Sequence, residues 1–234
     1  MAEEVVRYEQ RDGIAVLHMD DGKANALSPT LIDALGAALD RAEQEADAVV
    51  WVGRPGRFSA GFDLSVMRSG AEAMSGLVIA GAELYARMLE HPKPIVAACS
   101  GHALAAGALA LLASDQRVGT RGDFKIGLNE VAIGMTLPIF AVELARHRLS
   151  KRHFQRATTQ AELYAPEVAV DAGYLDRVTS PEDLFDAALA EASRLAALPQ
   201  PAFGATKRGV HGAFAANLRE TLAADLKRLT GTGS

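Results

Sequence analysis

The chain has 234 residues, with 24 Lys and Arg against 29 Asp and Glu, a net charge of −5, 49% hydrophobic residues and a single cysteine. That length suits one domain, or one with a small appendage, and the ordinary apolar content and mild charge exclude disorder as the main state. One cysteine excludes a disulfide framework and a cysteine-based zinc site, and an acidic balance with one loose basic cluster, Arg146 to Arg156, argues against general nucleic-acid binding.

The opening residues Met1 to Glu4 are acidic and lack the basic and apolar regions of a signal peptide. The most apolar run, Ala103 to Ala113, is too short to span a bilayer, so the expectation is a reduced, cytoplasmic protein. Val5, Val6 and Tyr8, then Asp12-Gly13, then Ile14, Val16 and Leu17 read as a β-hairpin, because Asp-Gly supplies the positive φ of a tight turn. Asp20 to Lys23 reads as a loop. Ser28-Pro29 opens a helix, with Ser as N-cap and Pro at the first helical position, and Leu31, Leu35, Ala38, Leu39 and Ala42 form its buried stripe.

Ala48 to Val52 is a strand, and Arg54 to Phe62 reads as a loop because of Pro55, Gly56 and Gly61. Leu77, Ala80, Leu84, Met88 and Leu89 mark the core face of a helix that His91-Pro92-Lys93-Pro94 breaks. Ile95 to Cys99 is a strand. Ala105 to Leu111 opens a helix with no polar face, which must be buried centrally. Asp115 to Val118 and Phe124 to Ile126 read as short strands, and Gly127 to Leu137 as a loop. From Pro138 onward the pattern is mostly helical. Ser150 and Pro166 mark starts, Ala172-Gly173 a stop, and Ser180 to Asp183 a capping box over a helix to about Ala197. A last helix runs from near Ala202 to Leu229, with Gly231 to Ser234 as a tail. The fold class is α/β with a helical C-terminal region.

Three segments carry groups able to do chemistry. Phe58-Ser59-Ala60-Gly61-Phe62-Asp63-Leu64 leaves a strand through small residues that let backbone N–H groups approach a ligand. Ser100-Gly101-His102-Ala103-Leu104-Ala105-Ala106-Gly107 leads into the N-terminus of the buried helix, where free amides and the helix dipole favour negative charge. Gly127-Leu128-Asn129-Glu130 sets one carboxylate among apolar residues, which raises its pKa and suits a general base. Neither glycine-bearing loop has P-loop or Rossmann spacing.

The order of these three segments resembles the crotonase (enoyl-CoA hydratase/isomerase) superfamily, with echoes at Lys23-Ala24-Asn25-Ala26-Leu27 and at Ala172-Gly173-Tyr174-Leu175-Asp176-Arg177-Val178. The likeness runs from about Val5 to about Leu229. It implies a spiral core of ββα units over residues 1–195. It also implies a helical trimerisation region over 196–234, shortened relative to the family, whose members often carry a further helix beyond the position of Leu229. It implies an acyl-CoA substrate, no metal or redox cofactor with coenzyme A part of the substrate, and a homotrimer or dimer of trimers. An oxyanion hole is implied at the N–H groups of Ala60 and Ala106, with Lys23, Ala24, Ala26, Ala60, Gly61, Phe62, Asp63, Ala106 and Leu109 along the substrate.

The departure from the family pattern is informative. Hydratases of this family present two glutamates, and the first falls here at Leu109, which transfers no proton. The second falls at Glu130. One carboxylate with an oxyanion hole resembles the Δ3,Δ2-enoyl-CoA isomerase branch. The expectation is double-bond isomerisation with Glu130 as sole acid/base. Hydration of 2-enoyl-CoA, thioester hydrolysis and β-diketone cleavage remain alternatives, as does a catalytically weak acyl-CoA-binding subunit.

Other residues read as structural. Asp63 and Asp115 read as caps or ion-pair partners, His102 as a packed histidine, and Cys99 as a buried small hydrophobe. His147, His153 and His211 read as helix-face residues, and Lys207-Arg208 as a solvated helix face or a contact for CoA phosphates. Met135 and Phe140 fit an acyl tunnel or the core equally, and Tyr164 has no role assignable from sequence.

Overall fold

The structure is a computed structural model that describes residues 4–229. Met1 to Glu3 and the tail Gly231 to Ser234 lie outside the described residues. The expected hairpin joins β1 (Val6–Arg11) to β2 (Ile14–Met19), with Asp12 at φ 47 and Gly13 at φ 80 in the turn. Ser28 caps α1 (Pro29–Glu45), its Oγ accepting the Leu31 N–H at 3.2 Å.

The segment expected to be a loop after β4 (Ala48–Val52) contains two further strands, β5 (Gly56–Ser59) and β6 (Gly61–Phe62). β6 pairs in parallel with β3 (Ala26–Leu27). A four-residue helix, α2 (Leu64–Met67), precedes α3 (Ala71–Glu90). After β7 (Ile95–Cys99) the chain makes another strand, β8 (Gly101–Leu104), before α4 (Ala106–Ala113), all of whose residues are buried. β9 (Gln116–Thr120) and β10 (Ile126–Gly127) then lead to a 3-10 turn at Val131–Ile133.

The strands fall into a repeating scheme. β4, β7 and β9 join one sheet of order β1-β2-β4-β7-β9-β11, where β11 is Arg177–Thr179. Their followers β5, β8 and β10 form a second sheet of order β10-β8-β5. Among the described residues every pairing between these strands except β1 with β2 is parallel. Each turn of the chain therefore adds one strand to each sheet, which is the spiral of ββα units that the resemblance implies.

Strands buried on both faces divide their side chains between two cores. Val49, Trp51, Ala97 and Cys99 pack toward α1, α3, α4 and the C-terminal helices, while Ala48, Val50, Val96 and Val118 pack under α8 (Leu184–Ala196) through Leu184, Ala188, Ala192 and Leu195. Ser180 Oγ accepts the Asp183 N–H at 3.3 Å, half of the expected capping box. α5 (Ile139–Arg148), α6 (Lys151–Thr158) and α7 (Pro166–Ala172) precede it, and α9 (Gln200–Leu229) packs on α3 and α5. Asp225 fastens α9 to α5 by accepting the N–H groups of Ile139 and Phe140 at the α5 N-terminus.

Candidate active site

The three motif segments converge where β6, α4 and the loop after β10 meet. A Cβ on Gly61 would stand 2.8 Å from the Ala105 Cβ and 3.3 Å from the Ala106 nitrogen, and one on Gly107 would stand 2.5 Å from the Ser59 carbonyl oxygen. Glycine permits this approach of two backbones. Ser59 locks it by donating to the Asn25 carbonyl at 2.7 Å and accepting the Gly61 N–H at 3.2 Å.

Ala105 sits at φ 50 and ψ −123, a sparsely populated conformation for a residue with a side chain. Its N–H donates to the Gly127 carbonyl at 2.9 Å, which ties the α4 entrance to the Glu130 loop. α4 starts at the next residue, so the Ala106 N–H heads the helix, and among the described residues it has no acceptor.

Ala60 differs from expectation. Its N–H donates to the Ala24 carbonyl at 3.0 Å and is not available to an oxyanion. The free amide on this loop is that of Phe62. Asp63 N–H donates to the Leu27 carbonyl at 3.1 Å, and in a parallel ladder only alternate residues turn their amides to the partner strand. The Gly61 N–H is taken by Ser59 Oγ and the Asp63 N–H by Leu27, and with Leu27 paired opposite Phe62 that phase turns the Phe62 N–H away from β3. The resemblance named the Ala60 amide as a donor, and it is already paired because the phase of this strand is set by the distant β3.

Glu130 leads into the 3-10 turn, its carbonyl accepting the N–H groups of Ile133 at 3.1 Å and Met135 at 2.9 Å. The residue is 8% exposed, and among the described residues its Oε2 has no hydrogen-bond partner. Burial pushes its carboxyl up to about 7, where it exchanges a proton near neutral pH. Leu109, one turn into α4, is 1% exposed and brings no proton-transfer group.

The remaining expected contacts gather around β3 and β6. Ala24 and Ala26 flank Asn25, and Lys23 is exposed with its carbonyl accepting from Arg54 Nη1 at 3.1 Å. Asp63 is the N-cap of α2, accepting the Ser65 N–H at 2.8 Å and the Ser65 hydroxyl at 2.6 Å, bonds that hold its carboxyl below the usual range. Sequence reading missed Asn25 as an organiser. It is buried at φ 52, and its side-chain amide donates to the carbonyls of Met19 at 2.9 Å and Phe58 at 3.2 Å. Its place in a loop with two aspartates and a glycine was the available signal.

Several structural readings stand and several change. His102 Nδ1 accepts the Lys125 N–H at 3.0 Å, and burial pushes the Cys99 thiol up to about 12. Lys207 is neither solvated nor free for phosphate, being buried with its Nζ 2.5 Å from Asp115 Oδ2. His147 and His211 form a pair at 2.9 Å, and His153 is buried against Tyr164 and Asp171. Phe140 is core, whereas Met135 lines a cleft of about 530 Å³ with Val131, Leu137 and Phe154. Among the described residues, no cluster of three or more His, Cys, Asp or Glu could hold a metal, and no helix is long and apolar enough to cross a membrane.

Residues 9–234 match a family model described as enoyl-CoA hydratase/isomerase. A solved enoyl-CoA hydratase/isomerase family protein from Pseudomonas syringae is 47% identical with a TM-score of 0.90, covering 96% of each chain. The human mitochondrial delta3-delta2-enoyl-CoA isomerase is 28% identical with a TM-score of 0.92, covering 97% of this chain and 91% of that one. The probable enoyl-CoA hydratase echA17 of Mycolicibacterium paratuberculosis is 33% identical over 96% of this chain and 88% of its own.

Proposed function

The chain belongs to the enoyl-CoA hydratase/isomerase family of crotonase-superfamily enzymes, and within it we propose a Δ3,Δ2-enoyl-CoA isomerase with Glu130 as its sole acid/base. The observation that carries this reading is a buried carboxyl at Glu130, whose Oε2 has no hydrogen-bond partner among the described residues, together with an apolar, buried Leu109.

The chemistry closes with these groups alone. Glu130 removes a C2 proton from a 3-enoyl thioester, and the electron pair moves onto the thioester oxygen to give a dienolate. The N–H groups of Ala106 and Phe62 hold that oxygen; losing one such donor costs roughly 10²–10³ in rate. The protonated Glu130 then delivers the proton to C4. The double bond moves from C3–C4 to C2–C3, and no water is activated. The segment of Lys23, Ala24 and Ala26 lies along the CoA arm, and the acyl chain passes Gly61, Phe62 and Leu109.

Hydration of a 2-enoyl thioester is the second reading, favoured by the hydratase names among the relatives. It needs a second proton-transfer group, which Leu109 does not supply. The test is to give the protein 3-enoyl-CoA and 2-enoyl-CoA separately. Isomerisation of the first with negligible hydration of the second is expected; rapid Glu130-dependent hydration reverses the assignment. Assembly as a homotrimer or dimer of trimers in the cytoplasm belongs to the same proposal, and sedimentation velocity tests the assembly.

A further inference from the structure

The two residues whose amides form the proposed oxyanion site are both braced by one helix, α3. Phe62 ends β6, and its ring lies against the backbone of Gly81: a Cβ built on that glycine would stand 2.4 Å from both Cε1 and Cζ of the ring. Gly81 is buried in the middle of α3, where glycine is a poor helix former and serves close approach. Gly76, on the same helix, has no neighbour within 4 Å of such a Cβ among the described residues, so the tight seat belongs to Gly81.

One turn further along α3, the buried Tyr85 hydroxyl donates to the Ala106 carbonyl at 2.7 Å. Residues four apart on a helix share a face and lie about 6 Å apart along its axis. α3 therefore meets the side chain of one donor residue and the backbone of the other at two points on a single rod. The rod is itself held by its neighbours. Arg219 of α9 donates to Glu83 at 2.9 Å and to Glu90 at 2.8 Å, and Arg87 donates to Asp40 of α1 at 2.5 Å.

We propose that α3 sets the spacing of the two oxyanion donors, with Gly81 the positioning residue for Phe62 as Tyr85 is for Ala106. The missing side chain at position 81 lets the Phe62 ring settle onto the helix. A ring held at its far end leaves its own backbone amide little freedom to turn, and donors fixed in advance need no reorganisation as the negative charge develops. Gly81 touches no reacting atom and acts through Phe62, so the inference rests on the reading of the Phe62 and Ala106 amides as the oxyanion site.

The test compares the wild type with Gly81→Ala and, as a control on the same helix, Gly76→Ala. Both changes raise helix propensity, and only the first crowds a ring. Gly81→Ala lowers kcat for 3-enoyl-CoA by about 10–100-fold, the cost of misplacing a group by up to about 1 Å, with KM within about twofold. Gly76→Ala keeps the wild-type kcat. In a Phe62→Ala background the new methyl meets no ring, and Gly81→Ala then changes kcat by less than about twofold. A second readout needs no turnover: hexanoyl-CoA labelled with ¹³C at its carbonyl is bound to each protein and its infrared carbonyl stretch is read. Donors on that oxygen lower the frequency. The downshift seen in the wild type persists in Gly76→Ala and shrinks both in Gly81→Ala and in Phe62→Ala, which removes the ring without crowding the helix. Wild-type kcat in Gly81→Ala, an equal loss in both backgrounds, or an undiminished downshift in either Gly81→Ala or Phe62→Ala overturns the inference. A downshift that shrinks in a protein unable to isomerise 3-enoyl-CoA upholds the brace and sinks the isomerase reading instead. No downshift in the wild type overturns the inference and the oxyanion reading together.

Discussion

The Tyr85 hydroxyl donates a 2.7 Å hydrogen bond to the carbonyl oxygen of Ala106, the residue whose own N–H heads α4 with no acceptor among the described residues. A side chain on α3 thereby fixes the peptide that carries one proposed oxyanion donor. Tyr85→Phe loses one hydrogen bond, so stability falls by about 1 kcal/mol in urea unfolding. The same change lowers kcat more than it raises KM, because the Ala106 amide is needed most as the enolate forms.

Glu130 makes activity and stability respond oppositely to pH. Burial lifts its carboxyl from 4.5 to about 7, so kcat/KM rises through that pH as the base ionises. The folded state binds the proton more tightly than the unfolded chain, so stability falls between pH 4.5 and about 7 and levels off above. The full effect is on the order of 3 kcal/mol. Glu130→Gln removes it, so the variant exceeds the wild type in Tm at pH 8 and matches it more closely at pH 5.

Ala106→Pro deletes the proposed donor, at the cost of strain at Ala105, whose φ of 50 and ψ of −123 are disfavoured before proline. Proline is well tolerated at the first position of a helix, where the N–H has no helical partner. The expected result is a folded protein with kcat lowered roughly 10²–10³-fold on 3-enoyl-CoA. A variant with full activity and wild-type circular dichroism removes Ala106 from the oxyanion site.

Lys207 and Asp115 form a buried ion pair joining α9 to the segment after α4, with Asp115 also accepting the Ile95 N–H at 2.8 Å. Lys207→Met leaves the carboxylate buried without its cation, which costs about 3–5 kcal/mol by denaturant unfolding. Adding Asp115→Leu recovers part of that loss.

Much of this molecule is legible in its sequence wherever a local signal sets the structure. Asp12-Gly13 dictates the hairpin, Ser28-Pro29 dictates the start of α1, and the unbroken apolar run of α4 requires central burial. Elements made by distant pairing are not legible. β5, β6 and β8 are two to four residues long and rich in small residues, so they carry no alternation and exist because remote segments hydrogen-bond to them. The same cause hid the pairing of the Ala60 amide with the Ala24 carbonyl. Lys207 looked solvated because its partner Asp115 lies 92 residues away. The candidate base was legible because Gly127-Leu128-Asn129-Glu130 combines burial and charge in four residues.

The most direct measurement follows a deuterium placed at C2 of 3-enoyl-CoA, with wild type and Glu130→Gln compared. A single carboxyl moving hydrogen between neighbouring faces of one substrate leaves deuterium at C4 of part of the wild-type product, and the variant is at least about 10²-fold slower. Conversion by the variant at the wild-type rate would contradict the account.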